Sequence, residues 1–258
     1  MNERNLIEFI NEKPSSNELY DLKFSDRVNR FYIERYTNNF KLFFKNIKNV
    51  IFFLNLIILK KKIKSLSNQY FIKKFLKDSG FSDFNLSRLI QLKELIIKKK
   101  PKKILELGSG VSTVFMSYLI NDLKLNCKIY SYDNDNDYIN KIIKNSSKDI
   151  LNNIIFKVHE LKLFKFNNRR FIKYNNDKYI ENIDILYIDG PVLYKFKNYE
   201  NIKYTKCGDI IEIFKNVTDL PKTIILDKKY DLHPTVKNYK KYKSRFNRIT
   251  RTIIYEKL

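Results

Sequence analysis

The chain has 258 residues, of which 43% are hydrophobic and 31% charged. That is room and apolar material for one large α/β domain with a small appendage, and it argues against a membrane-embedded protein. The formal net charge of +23 points toward nucleic acid or an anionic membrane surface. Alanine and tryptophan are absent, however, while Lys, Asn, Ile, Phe and Tyr fill the chain, as an AT-rich coding sequence produces. The lysines also run along the whole length, so the basicity reads mainly as a generic surface.

Such a composition supplies small residues sparingly. The five glycines, Gly80, Gly108, Gly110, Gly190 and Gly208, are therefore expected where the backbone requires them. Cys127, in a predicted buried strand, and Cys207 form no CxxC or metal-type cluster, which fits a reduced, cytoplasmic protein. The opening segment, MNERNLIEFINEK, has no apolar core of the signal-peptide kind.

Residues 1–80 read as a helical N-terminal extension. Its most apolar run, Val50 to Leu59, contains Asn55 and is followed by three lysines. At about 1.5 Å per residue it is too short to cross a bilayer of roughly 30 Å as a helix. It is expected to be a buried helix, with peripheral membrane contact or homodimerisation through these helices as the other uses. Gly80 is a helix C-cap, and a new helix begins near Ser82 or Asp83 and stops at Pro101.

Strands and helices then alternate. KKILELG, CKIYSYD, NIIFKVHE, NIDILYIDGP and KTIILD read as strands, with helices in VSTVFMSYLINDL, NDYINKIIKNS, GDIIEIFKNV and HPTVKNYKKYK. LKLFKFNNRRFIKYN reads as a hairpin turning at Asn167-Asn168, and RFNRITRTIIYEKL closes with strand character. The alternation predicts a doubly wound, mostly parallel sheet with helices on both faces over residues 81–258. Ligands of such sheets sit beyond the carboxyl ends of the strands.

The first strand ends in Glu106-Leu107-Gly108-Ser109-Gly110, followed by Val111, Ser112 and Thr113. Glycines there would let a ligand approach the backbone, and the next helix offers free N–H groups and its positive dipole end. As a G-x-G-x-x-G dinucleotide fingerprint the run is imperfect, because Thr113 occupies the third small position. The second strand ends in Asp133, 25 residues after Gly108, where a carboxylate can accept ribose hydroxyls or cap the next helix. The Asp133–Asp137 run lacks the glycine and terminal Glu of a calcium loop.

The block PKKILELGSGVST resembles motif I of class I S-adenosylmethionine-dependent methyltransferases, and Ile188-Asp189-Gly190-Pro191 resembles the "IDG" motif IV of their small-molecule members. The resemblance runs from about residue 84 to the end of the sequence. It implies a Rossmann-like, seven-stranded sheet and S-adenosyl-L-methionine as cofactor. Glu106, Gly108, Ser109, Gly110, Ser112 and Thr113 would form the cofactor loop, Asp133 would hold the ribose, and Glu160, after the third strand, would lie near the adenine. The implied activity is O-methylation of a small hydroxylated metabolite or sugar. Asp189 is the first candidate to take the acceptor's proton, and His233 the second. Metal-dependent relatives pair such acids with an Asp-Asn after the fifth strand. Asp189 and Asp227 match as weak metal candidates, but Lys228 replaces the Asn, which argues against Mg²⁺ and leaves the expectation at no metal.

Competing readings are an RNA methyltransferase that uses the basic surface, a non-catalytic nucleotide-binding relative, and a dinucleotide oxidoreductase. The N/D-P-P-Y/W motif of base-amino methyltransferases is absent, so a nucleic-acid partner is not favoured. Tyr194 is followed four residues later by Asn198, not by the lysine of a short-chain dehydrogenase.

Overall fold

The computed structural model describes residues 83–166, 169–176, 178–191, 206–227, 232–237, 241–247 and 252–258. The helical reading of residues 1–80, the apolar run at 50–59 and Lys228 lie outside them. The described residues fall into two compact units, with 83–91 in one and those from 92 to the end in the other. Among the described residues no helix is long and apolar enough to cross a membrane.

Helix α1 spans Asp83–Lys99. It ends where Lys100 turns left-handed at φ 44° ahead of Pro101, whose ring disfavours helical geometry in the preceding residue. In chain order there follow β1 (Lys103–Leu107), α2 (Val111–Asp122), β2 (Lys128–Asp133), α3 (Asn136–Asn145), α4 (Lys148–Leu151) and β3 (Ile154–Val158). Next come β4 (Leu161–Phe166), β5 (Arg169–Tyr174), β6 (Ile185–Ile188), β7 (Lys206–Cys207) and α5 (Asp209–Asn216). The chain closes with β8 (Thr223–Asp227), α6 (His233–Lys237), β9 (Tyr242–Asn247) and β10 (Thr252–Lys257).

Seven strands form one sheet in the order β3-β2-β1-β6-β8-β10-β9. The first five are parallel, and β10 runs antiparallel to both β8 and β9. This is a Rossmann-like doubly wound sheet, as the alternation of elements predicts. The strand order reverses beside β1, so the switch point lies between the carboxyl ends of β1 and β6.

Register decides what each face carries. Glu106 lies beside Ser131 on one side and Tyr187 on the other, and Tyr187 lies beside Ile225. Because side chains alternate along a strand, the positions two residues on, Asp133, Asp189 and Asp227, belong to the same face. The opposite face is apolar: Leu105, Leu107, Leu186, Ile188, Ile224 and Leu226 join the main core with Tyr132 and Tyr255. Both faces are packed, since Ile104, Ile129, Ile185 and Ile225 are buried on the face of Glu106, and it is this second face that carries carboxylates to the strand ends.

Two local expectations need correction, and the expected hairpin falls in a sheet of its own. The predicted helix HPTVKNYKKYK is confined to His233–Lys237, and Tyr242 already begins β9. There the Tyr242 hydroxyl donates to the Pro221 carbonyl at 2.7 Å, and the residue pairs with Lys257, so strand pairing overrides the local helical pattern. Cys127 is buried, but it precedes β2 by one residue. The 161–174 hairpin is present with Phe166 opposite Arg169, yet it belongs to a separate three-stranded sheet, in which β7 runs parallel to β5.

Candidate active site

The site begins where β1 ends. Gly108 adopts φ +101°, a conformation open to glycine and strained for other residues. A Cβ on Gly108 would stand 2.5 Å from the Gly190 nitrogen, and one on Gly190 would stand 2.6 Å from the Gly108 Cα. The Asp189 and Gly190 N–H groups both donate to the Leu107 carbonyl, at 3.0 and 2.6 Å. The ends of β1 and β6 thus touch backbone to backbone. Gly108 is required first by this contact inside the protein, whereas the sequence suggested only room for a ligand. Gly190 continues into a cis peptide bond with Pro191.

Gly110 differs. A Cβ there would meet only the Tyr138 hydroxyl, at 3.8 Å. Space above this glycine is open, next to the N-terminus of the 12-residue helix α2, whose first turn carries no acid. That helix end suits an anionic or strongly polar group.

Two carboxylates hold the loop from below. Glu106 is completely buried and accepts from Ser112 Oγ at 2.5 Å, from Ser131 Oγ at 2.7 Å and from Thr113 Oγ1. These bonds tie the first turn of α2 to β1 and β2. Burial pushes the Glu106 carboxyl up to about 7, although the three hydroxyls oppose the shift. Asp133 accepts from the Ser109 N–H at 2.8 Å with Oδ2, and from the Asn134 and Asp135 N–H groups at 2.7 and 2.9 Å with Oδ1. It therefore shapes the end of β2 and fastens the glycine loop to it. Asp135, not Asp133, caps α3 by accepting from the Tyr138 N–H.

The remaining expected residues are spread around the strand ends. Asp189 is half-buried just past β6. Asp227, at the end of β8, is completely buried and accepts from the Tyr187 hydroxyl at 2.7 Å. Among the described residues no three His, Cys, Asp or Glu side chains come together as a metal-ligand group. His233 begins α6, half-buried, with Nδ1 hydrogen-bonded to the buried Tyr255 hydroxyl. Glu160 is exposed in the link from β3 to β4, where its carbonyl accepts from the Asn175 N–H at 2.7 Å.

Sequence reading missed Asp209, the first residue of α5. It is completely buried and accepts from the Tyr179 hydroxyl at 2.6 Å, the Tyr174 N–H at 3.1 Å and the Cys207 thiol at 3.2 Å. Its only sequence signal was a carboxylate directly after Cys207-Gly208. Its carboxyl is pushed up to about 6, mainly by burial.

Glu106 and Asp209 together give a pH prediction. Both bind protons more tightly folded, at about 7 and about 6, than at their ordinary 4.5 and 3.8. Their joint contribution to stability is therefore full below about pH 4 and is lost as the pH rises toward 7. Melting temperature measured across this window should carry a downward component with rising pH, and Glu106→Gln should flatten its upper part. An unchanged slope in the variant would show that Glu106 titrates normally.

No protein-family model matches the chain, and no curated protein matches it significantly. Solved structures with similar folds include a protein from Staphylococcus aureus provisionally assigned as a caffeoyl-CoA O-methyltransferase. It has 14% identity and a TM-score of 0.49 over 79% of this chain and 99% of that one. The O-methyltransferase TomG from Streptomyces achromogenes, in complex with SAM, has 9% identity and a TM-score of 0.39 over 72% and 87% of the two chains. TrmK from M. capricolum, in complex with S-adenosylhomocysteine, has 17% identity and a TM-score of 0.40 over 66% and 67%.

Proposed function

We propose that the chain is an S-adenosylmethionine-dependent methyltransferase whose catalytic domain spans 81–258, and that it methylates a hydroxyl of a small metabolite or sugar. The observation that carries this reading is the loop at Ser109–Gly110. It is unobstructed above Gly110, lies against the N-terminus of α2, and is fastened from below by Glu106 and Asp133. A dinucleotide-binding sheet has six parallel strands, whereas β10 here is antiparallel to its neighbours.

The residues fit an adenosyl amino acid. Gly110 and the N-terminus of α2 would receive its polar amino-acid end, and the Asp133 carboxylate at the end of β2 would face the ribose hydroxyls. Glu160 would lie toward the base. Glu106, having no exposed surface, would position the loop without touching the ligand. The cofactor, when bound, supplies a methyl group on a positively charged sulfur. Asp189, half-buried beside the Gly108–Gly190 contact, would hold the acceptor hydroxyl and take its proton. His233 is the second candidate for that proton, with its ring orientation set by Tyr255. Both cysteines are thiols, in keeping with a reducing, cytoplasmic setting.

Parallel calorimetric titrations with S-adenosylmethionine, S-adenosylhomocysteine and NAD test the reading. The adenosyl ligands should bind and NAD should not. At 100 times its dissociation constant, a ligand should also stabilise the fold by about 2.7 kcal/mol. Binding of NAD alone would replace the proposal with a dinucleotide enzyme.

A further inference from the structure

We propose that Tyr138 is a ligand-binding residue, whose hydroxyl donates to the carboxylate at the amino-acid end of the adenosyl ligand. The inference rests on the cofactor reading above and adds to it a residue from the helix after β2. It begins at Gly110. This residue has φ −177°, extended backbone that any residue adopts. Beyond its chain neighbours, a Cβ there would meet nothing closer than the Tyr138 hydroxyl at 3.8 Å, an ordinary contact. Neither conformation nor internal packing calls for glycine at this position, in a chain that has only five. Close approach of a ligand to the backbone is the use that remains.

Tyr138 borders the space so left. Helix α3 buries Ile139 and Ile142 and leaves Tyr138 40% exposed. Its side chain reaches from α3, which follows β2, to the loop that follows β1. The start of α3 is fixed from the end of β2. Asp133 Oδ1 accepts from the Asp135 N–H at 2.9 Å, and Asp135 Oδ1 accepts from the Tyr138 N–H at 3.1 Å. Unlike Glu106, this tyrosine has surface to offer a ligand.

Topology says which part of the ligand arrives there. β1 and β2 are neighbours, and adjacent strands are about 4.8 Å apart. A ligand with its ribose on Asp133, at the end of β2, reaches Gly110 with its amino-acid end. A group seated against the bare Gly110 Cα takes the place of the missing Cβ and so comes beside the Tyr138 hydroxyl. That end of the ligand carries a carboxylate, to which a phenol O–H can donate. Such a bond is stronger than one between neutral groups because its acceptor is charged.

Tyr138→Phe removes one oxygen and keeps the ring. Thermal unfolding without ligand is measured alongside titration with S-adenosylhomocysteine and with 5′-methylthioadenosine, which lacks the amino-acid end. The expected result is an unchanged melting temperature, affinity for S-adenosylhomocysteine about tenfold lower, and affinity for methylthioadenosine unchanged. Unchanged S-adenosylhomocysteine affinity overturns the proposal. So does an equal loss for both ligands, which would put the hydroxyl on the nucleoside, and so does a fall in melting temperature of several degrees, which would make the hydroxyl a brace of the fold. If the wild type binds neither ligand, it is the cofactor reading that fails, and this assignment falls with it.

Discussion

Gly108→Ala should destabilise the protein by roughly 2–5 kcal/mol. A left-handed φ costs an L-residue about 1–2 kcal/mol, and overpacking a tight interior adds typically 1–3 kcal/mol. Both apply here, because the residue has φ +101° and its new methyl would sit 2.5 Å from the Gly190 nitrogen. The obstacle is backbone held by two hydrogen bonds to the Leu107 carbonyl, so it has little freedom to yield. For a domain of this size the melting temperature should fall by roughly 4–20 °C. Gly110→Ala is the internal control. Its methyl meets only a side-chain hydroxyl at 3.8 Å, so stability should stay within about 0.5 kcal/mol of the wild type. Equal melting of the two variants would mean that the β1–β6 contact is not tight in solution.

Asp133→Ala should abolish ligand binding with a smaller loss of stability. The carboxylate anchors three backbone N–H groups, of Ser109, Asn134 and Asp135. Leaving part-buried donors without it should cost about 2–4 kcal/mol. The ligand loses twice, through the ribose contact and through a loop no longer held in shape. Affinity for S-adenosylhomocysteine should drop at least about a hundredfold, or roughly 2.7 kcal/mol. Asp133→Asn should fall between, since its amide keeps one acceptor oxygen but replaces the other with a donor. A folded Asp133→Ala protein that binds within about threefold of the wild type would remove Asp133 from the site.

These two residues also illustrate what could be read from the sequence. Alternating apolar strands and amphipathic helices were visible because burial imposes its period on residue choice, so the parallel sheet and the loop after β1 were legible. The scarcity of glycine in this composition made Gly108, Gly110 and Gly190 stand out. Asp133 and Asp189 could be placed at strand ends by position alone.

The tertiary structure decided the rest, because it depends on contacts between segments far apart in the chain. That Gly108 and Gly190 need each other, 82 residues apart, is a matter of backbone packing and leaves no local pattern. The division of labour between Glu106, buried and positioning, and Asp133, at the strand end, follows from register and depth. Asp209 and Tyr174 were invisible in the sequence for the same reason: their partners are brought together only when β5 and β7 pair beside α5. The sequence alone determined the parallel strands of the main sheet and the acids near their carboxyl ends, whereas β7 and β9 were decided by pairing within the packed sheets. Only the packed sheet decided how deeply each acid is buried and which groups donate to it, because burial and hydrogen-bond partners are set by three-dimensional neighbours.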